Sequence, residues 1–258
     1  MKVAMFGDVI GQPGRNAAIE KVKELKADRS VDFIVLNGEN AAGGIGLTPE
    51  IGHDLLKAGV DVITSGNHIW NKRDMIDVLN NERNILRPYN YPKTTQGYGY
   101  VIVNSNGYRL GVLNLQGRTF MQAIDCPFKA ADEAVDLCGS EVDAIVVDFH
   151  AEATSEKQAL GMYLDGRVSA VVGTHTHVQT SDERILDKGT AYITDLGMCG
   201  PVNSVIGMSY ETSIRKFLYG TPTRFEVAKG PVMLCYVVID IDHSTGKARN
   251  IERILEIK

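Results

Sequence analysis

The chain has 258 residues, 44% of them apolar and 23% charged, with a formal net charge of −5. That composition is ordinary for a soluble globular protein and supplies enough chain for one well-buried core. The acidic balance argues against sequence-independent binding of duplex nucleic acid, which depends on neutralised phosphates.

The first half alternates between strand-like and helix-like runs. "KVAMFG" is an apolar strand pattern, and "RNAAIEKVKELKADR" has helical periodicity. "VDFIVLNG" is a second strand, followed by the helix "TPEIGHDLLKAG", opened by Thr48 with Pro49 at its first position. "VDVITSG" and "KRDMIDVLNN" repeat the pair, which argues for parallel βαβ units. Two β-rich runs then flank Asn106-Gly107, a strong hairpin signal. "EVDAIVVDFH", "ATSEKQALGMYLDG" and "RVSAVVGTHTH" return to strand, helix, strand. The stretch from Tyr192 to Met208, "YITDLGMCGPVNSVIGM", opens as a strand and then fills with glycines and a proline, as chain does when it must fit closely beside something. The tail "VMLCYVVIDIDHSTGKARNIERI" reads as two strands joined by a turn. The expected architecture is one α/β domain over 1–258, with mixed sheets packed face to face between outer helices.

No apolar run approaches about 18 residues, so no membrane span is expected. The start shows neither a basic region nor a cleavage site, and Cys126, Cys138, Cys199 and Cys235 match neither a zinc-knuckle nor a disulfide spacing. Reduced core thiols in a cytoplasmic protein are the expectation.

Polar residues able to bind metal follow the strands repeatedly. Asp8 follows the first, Glu39 and Asn40 the second, Asn67 and His68 the third; His150 closes "DAIVVDFH", and His175 and His177 follow "SAVVGT". In an open α/β sheet, the carboxyl ends of parallel strands form one rim where ligands bind. In extended chain, residues two apart face the same way, so "HTH" would aim two imidazoles at one point. Taken singly, Asp8 could cap a helix, Glu39 and Asn40 could be loop polars, Asn67 a turn residue and His150 a core-edge histidine. Their shared position at strand ends favours a common site. "GDVIGQPG" is neither GxGxxG nor a P-loop.

"GDVIG", "NGEN", "SGNHIW", "DFHAEATSEK", "GTHTH" and "DLGMCGPVNSVIG" together resemble the YmdB-like bacterial phosphodiesterases, within the calcineurin-like metallophosphoesterase superfamily. The resemblance covers essentially the whole chain. It implies a four-layer α/β/β/α sandwich and two transition metal ions per chain, divalent or mixed-valence, with iron first and manganese or zinc as the other candidates. One ion would take Asp8, Glu39, Asn40 and His177; the other would take Glu39, Asn67, His150 and His175. His68 would be catalytic. The activity implied is hydrolysis of small cyclic nucleotides, such as 2′,3′-cyclic ones, by attack of a metal-bridging hydroxide on phosphorus. The broad superfamily has Asp-x-His after its first strand, whereas this chain has Ile10 there and offers Asn40 instead.

The alternatives are a broad phosphomonoesterase or nucleotidase and, from another class, a metal-containing regulatory binding protein. The partner expected is a small phosphodiester, with a short RNA end admitted, duplex nucleic acid and membrane excluded, and a homo-oligomer allowed. Tyr89 and Tyr91 in "RPYNYP" offer a base-stacking platform or a packed loop. Arg118 is the candidate for an extra phosphate contact. Asp195, Asn203 and Ser204 are candidates for hydrogen bonds to the ribose or behind the metal ligands.

Overall fold

Two mixed sheets carry the fold of this computed structural model, which describes residues 1–258, the side chain of Ser140 excepted. In chain order the strands are β1 (Lys2–Phe6), β2 (Asp8–Val9), β3 (Phe33–Asn37), β4 (Val62–Thr64), β5 (Tyr100–Ser105), β6 (Tyr108–Gln116), β7 (Ala144–His150), β8 (Ala170–Thr174), β9 (Arg184–Ile185), β10 (Ala191–Ile193), β11 (Met198–Pro201), β12 (Val232–Asp242) and β13 (Lys247–Ile257). The helices are α1 (Gly11–Ala27), α2 (Pro49–Ala58), α3 (Met75–Asn81), α4 (Pro127–Cys138), α5 (Thr154–Leu164) and α6 (Tyr210–Tyr219).

The first sheet runs β2-β11-β12-β1-β3-β4, with β13 paired to β12. Its strands β1, β3 and β4 are parallel, and β12 runs against β1. The second runs β5-β6-β7-β8-β10-β9, with β6, β7, β8 and β10 parallel. Parallel strands covered on both faces read as unbroken apolar runs, as "FIVL" and "AIVV" do. Between the sheets, Val3, Met5 and Val35 share one core with Val112, Val146 and Val172. Outside the first sheet, Ala18, Val22 and Leu55 of α1 and α2 cover Ala4, Ile34 and Leu36. Outside the second, Ala131 of α4 and Leu160 and Leu164 of α5 cover Leu113, Val147 and Val171. The result is the expected α/β/β/α sandwich. Each fully buried Val, Leu or Ile contributes about 1.5–3 kcal/mol, so neither sheet could leave a face uncovered.

Local chemistry sets the element ends. Thr48 accepts a hydrogen bond from Ile51 N at the start of α2, and Gly59 (φ 114°) closes it. Asn106 and Gly107 take φ of 52° and 84°, the primed turn that the β5–β6 hairpin requires.

The structure adds elements that the periodicity did not reveal. α4 and α6 are helices, and a 3₁₀ turn covers Asn67–Asn71. α1 starts at Gly11, so "GQPG" is its first turn. The Tyr192–Met208 stretch contains β11, which lies between β2 and β12. What it fits around is the end of the first strand and the first turn of α1: a Cβ on Gly7 would overlap the Gly197 carbonyl, and one on Gly14 would overlap that of Cys199. All four cysteines are free, and three of them are buried. No helix among the described residues is long and apolar enough to cross a membrane.

Candidate functional site

The parallel strands of both sheets end at one edge, and the strand-end residues converge there. The first sheet delivers Asp8, Glu39, Asn40 and Asn67; the second delivers His150, His175 and His177. His150 Nε2 stands at the centre of one half, 3.0 Å from Glu39 Oε1, 3.0 Å from His175 Nδ1 and 3.2 Å from Asn67 Oδ1. Glu39, His150 and His175 form one group whose donor atoms could hold a metal ion. Continuing outward, Asn40 Nδ2 lies 3.3 Å from Glu39 Oε1 and 3.2 Å from His177 Nε2, and His177 Nε2 lies 3.7 Å from Asp8 Oδ1. The seven residues thus make one continuous string of nitrogen and oxygen atoms. Gly66, just before Asn67, has no room for a side chain, because a Cβ there would overlap the His150 ring.

Two observations test whether this donor set suits cations. Asp8 Oδ1 is buried with no hydrogen-bond partner, an arrangement that costs free energy unless a cation or donor meets it. The charges are also tuned. Burial pushes Asp8 up to about 6, against the pull of His177 and His150. Burial would raise Glu39 too, but His150 and His68 outweigh it and hold the carboxylate at about 2. Burial disfavours the charged form of His150, yet Glu39 and Asp8 raise it to about 9, so a cation binding there must displace the His150 proton and take its place beside the two carboxylates. Burial and the His150 charge lower His175 to about 3, so its imidazole is neutral and can donate a lone pair. Oxygen and imidazole donors of this kind fit iron, manganese or zinc.

The "HTH" element reaches the site by a route other than the expected extended chain. β8 ends at Thr174, and both His175 (φ 100°) and His177 (φ 64°) sit in the left-handed region. The two rings therefore diverge, His175 toward His150 and His177 toward Asp8 and Asn40. Backbone hydrogen bonds hold this strained loop: His175 N–H donates to Asp8 Oδ2 and Thr176 N–H to Asp195 Oδ2.

Three supporting residues escaped the sequence reading. The Thr174 hydroxyl donates to Asp148 Oδ1 at 2.7 Å and faces His150 Nδ1 at 2.9 Å. That chain leaves His150 Nε2 aimed at the other donors. Burial pushes the Asp148 carboxyl up, opposed by Thr64, Thr174 and Asn37. Glu152 Oε2 lies 3.1 Å from His175 Nε2 and fixes the opposite edge of that ring. The signal was present in "DFHAE": in a strand, Asp148 shares a face with His150, and Glu152 follows at the same spacing.

Beside the centre lies a cavity of about 660 Å³, and His68 lines it with Glu39, Asn40, His175 and His177. His68 N–H donates to Glu39 Oε2, and its Nδ1 is 3.2 Å from Asn71 Oδ1. Most other candidates lie elsewhere. Tyr91 is buried against Trp70, its hydroxyl donating to Gln122 at 3.0 Å and lying 3.3 Å from Gln116 Oε1, and Tyr89 packs edge-on against Tyr100. Both line a separate cavity with Arg87, so neither offers a free face to this centre. Arg118 is exposed and lines no part of the cavity. Asp195 does stand behind the donors, paired with Lys157 and accepting the Thr176 N–H between the two histidines, whereas Ser204 bonds within its own loop and Asn203 is exposed away from the cavity lining.

Comparison with known proteins agrees with this geometry. A 2′,3′-cyclic-nucleotide 2′-phosphodiesterase of Bacillus subtilis is 53% identical over 255 residues, covering 99% of this chain and 97% of the relative. The crystal structure of a hypothetical protein from Thermus thermophilus superposes with a TM-score of 0.94 at 40% identity, covering both chains completely. That of a novel phosphatase from Mycoplasma pneumoniae gives 0.93 at 38% identity, covering 100% of this chain and 93% of the other. The model of the YmdB-like proteins matches residues 4–254. Sequence, fold and strand-end donors point the same way, and the chain belongs to the YmdB-like family of the calcineurin-like metallophosphoesterases.

Proposed function

We propose that this chain is a phosphodiesterase that hydrolyses small cyclic nucleotides, 2′,3′-cyclic ones first, at a centre holding two metal ions, with residues 1–258 acting as one unit. The observation that carries the reading is the string of seven donors from two sheets, ending on the unpartnered Asp8 Oδ1. The activity named for the Bacillus subtilis relative supports the substrate class.

Asp8, Glu39, Asn40 and His177 would hold one ion, and Glu39, Asn67, His150 and His175 the other. Asn40 would turn its amide so that the carbonyl oxygen, rather than Nδ2, faces its neighbours. Bound there, the ions would polarise the phosphoryl oxygens and acidify a water. The protein's own residues do the rest. Asp148 and Thr174 fix His150, and Glu152 fixes His175, so the donors need little reorganisation. His68 stands on the cavity side, its Nδ1 held by Asn71, and its Nε2 is free to give a proton to the departing ribose oxygen.

Side-by-side assays of 2′,3′-cyclic AMP and AMP, with and without chelator, test this reading. Metal-dependent opening of the cyclic diester is expected. Release of phosphate from AMP alone would replace it with a nucleotidase. Bound metal without turnover on either would indicate a binding protein.

A further inference from the structure

The cavity beside the donors has two chemically different ends. Its polar residues cluster at the centre just described. The rest of its lining is chiefly Ile45, Val205, Ile206, Met208, Phe217 and Phe225, with Lys216 beside Phe217. We propose that this apolar arm is the nucleobase subsite, with Phe217 and Phe225 as its stacking residues, and that it accepts bases chiefly by ring area. This rests on the cyclic-nucleotide reading of the centre.

The arm is an arch of chain sewn shut at its root. Ser209 N–H donates to Glu226 O at 2.8 Å, Ala228 N–H donates to Gly207 O at 3.0 Å, and Met208 bridges Val227. Ser209 also caps α6, so the arch is a formed helix on a closed stem. The root is tied to the centre itself, because Ile206 O accepts from His177 Nδ1 at 2.9 Å. The floor fits as closely: Gly44 (φ 92°) carries no side chain, and a Cβ there would overlap the Met208 methyl. Whatever occupies the arm is therefore placed at a fixed offset from the phosphoryl position.

Phe217 is 83% exposed and Phe225 is 47% exposed, although both line a cavity whose other wall is aliphatic. Large aromatic side chains left in water beside a reaction centre gain most when a flat apolar partner covers them. A base of the centre's own substrate is such a partner, and its ring faces match the phenyl faces. Among the apolar side chains, Lys216 is the one polar group that could reach a base edge. The buried Ser213 hydroxyl is used on Ser209 O, Thr176 N–H on Asp195, and the remaining cavity polar groups stand at the donors, apart from Lys216. A site that presents ring faces and a single flexible ammonium discriminates chiefly by stacking area.

The test compares 2′,3′-cyclic AMP with methyl ribofuranoside 2,3-cyclic phosphate, the same diester without a base, followed by phosphorus NMR. The wild-type protein should favour the nucleotide by roughly tenfold or more in kcat/KM, mainly through KM. Phe217→Ala/Phe225→Ala should bring that ratio toward one, and Phe217→Tyr/Phe225→Tyr should retain it. The four 2′,3′-cyclic nucleotides should differ within about tenfold, purines ahead of pyrimidines. A ratio retained in the alanine variant overturns the subsite, as does one that changes only with oligomeric state by light scattering. Equal wild-type rates on both diesters also overturn it while leaving the centre's chemistry intact. Failure of the wild-type protein on both diesters strikes the underlying phosphodiesterase reading.

Discussion

Lys157 Nζ lies 2.6 Å from Asp195 Oδ2, and neither side chain reaches solvent. The same Asp195 oxygen accepts the N–H of Thr176, between the two left-handed histidines, and Oδ1 accepts the N–H of Gly197. A buried ion pair thus pins a strained loop from α5 to the strand end. Asp195→Ala leaves an uncompensated ammonium and should lower stability by about 3–5 kcal/mol in urea titration. Lys157→Met/Asp195→Asn should recover much of that loss. If Asp195→Ala alone costs nothing, the pair has no such role.

Asp148 and Thr174, which stand behind His150, predict a metal phenotype from residues outside the proposed ligand set. Thr174→Val keeps the shape and removes the hydroxyl. Metal affinity, measured by calorimetric titration of manganese, should fall roughly 10–100-fold. Glu152→Gln, at the exposed edge of His175, should fall less. Equal affinity in Thr174→Val and wild type would show that His150 is oriented by packing alone.

Glu39 sits between the two halves of the donor string. Elemental analysis of chelator-free protein should approach two transition-metal ions per chain at full loading. Glu39→Ala should lose both ions, whereas Asn67→Ala should weaken chiefly the one shared with His150 and His175. Saturation of the wild-type protein at a single ion would remove the two-metal proposal.

His68 separates turnover from metal binding. His68→Ala should lower kcat on 2′,3′-cyclic AMP by about 10²–10⁴-fold while metal content stays level. The deficit should shrink on a nitrophenyl diester, whose leaving group needs no proton. Activity restored by excess metal would instead make His68 a support for Asn67.

Most of the frame was legible because parallel strands betray themselves. Runs such as "FIVL" must be covered twice, so their length, their ends and the polar residues beyond them follow from one constraint. The β5–β6 hairpin was legible for a local reason, the left-handed pair at Asn106-Gly107. Legibility failed where distant backbone decides. β11 is four residues long with a glycine and a proline in it, and it is a strand only because β2 and β12 flank it. The rings of His175 and His177 were placed at the right edge for the wrong reason, since no local signal announces φ values of 100° and 64°. The tyrosines of "RPYNYP" do make aromatic contacts, but with the protein, where Trp70 and Tyr100 meet them edge-on.

The donors come from both sheets, and beneath them the seam is polar. Asn37 reaches Asp148 and Thr174 across it, and Ser65 and Asn114 exchange two hydrogen bonds of 2.9 Å. Elsewhere the two sheets meet through side chains of the apolar core. Ligands that bridge the seam act as rivets: they bind the closed sandwich and have no counterpart in separated sheets. Occupancy should then be felt in global unfolding, with each ion at a hundred times its dissociation constant adding about 2.7 kcal/mol. The melting temperature of this chain should climb with metal concentration and drop on chelation.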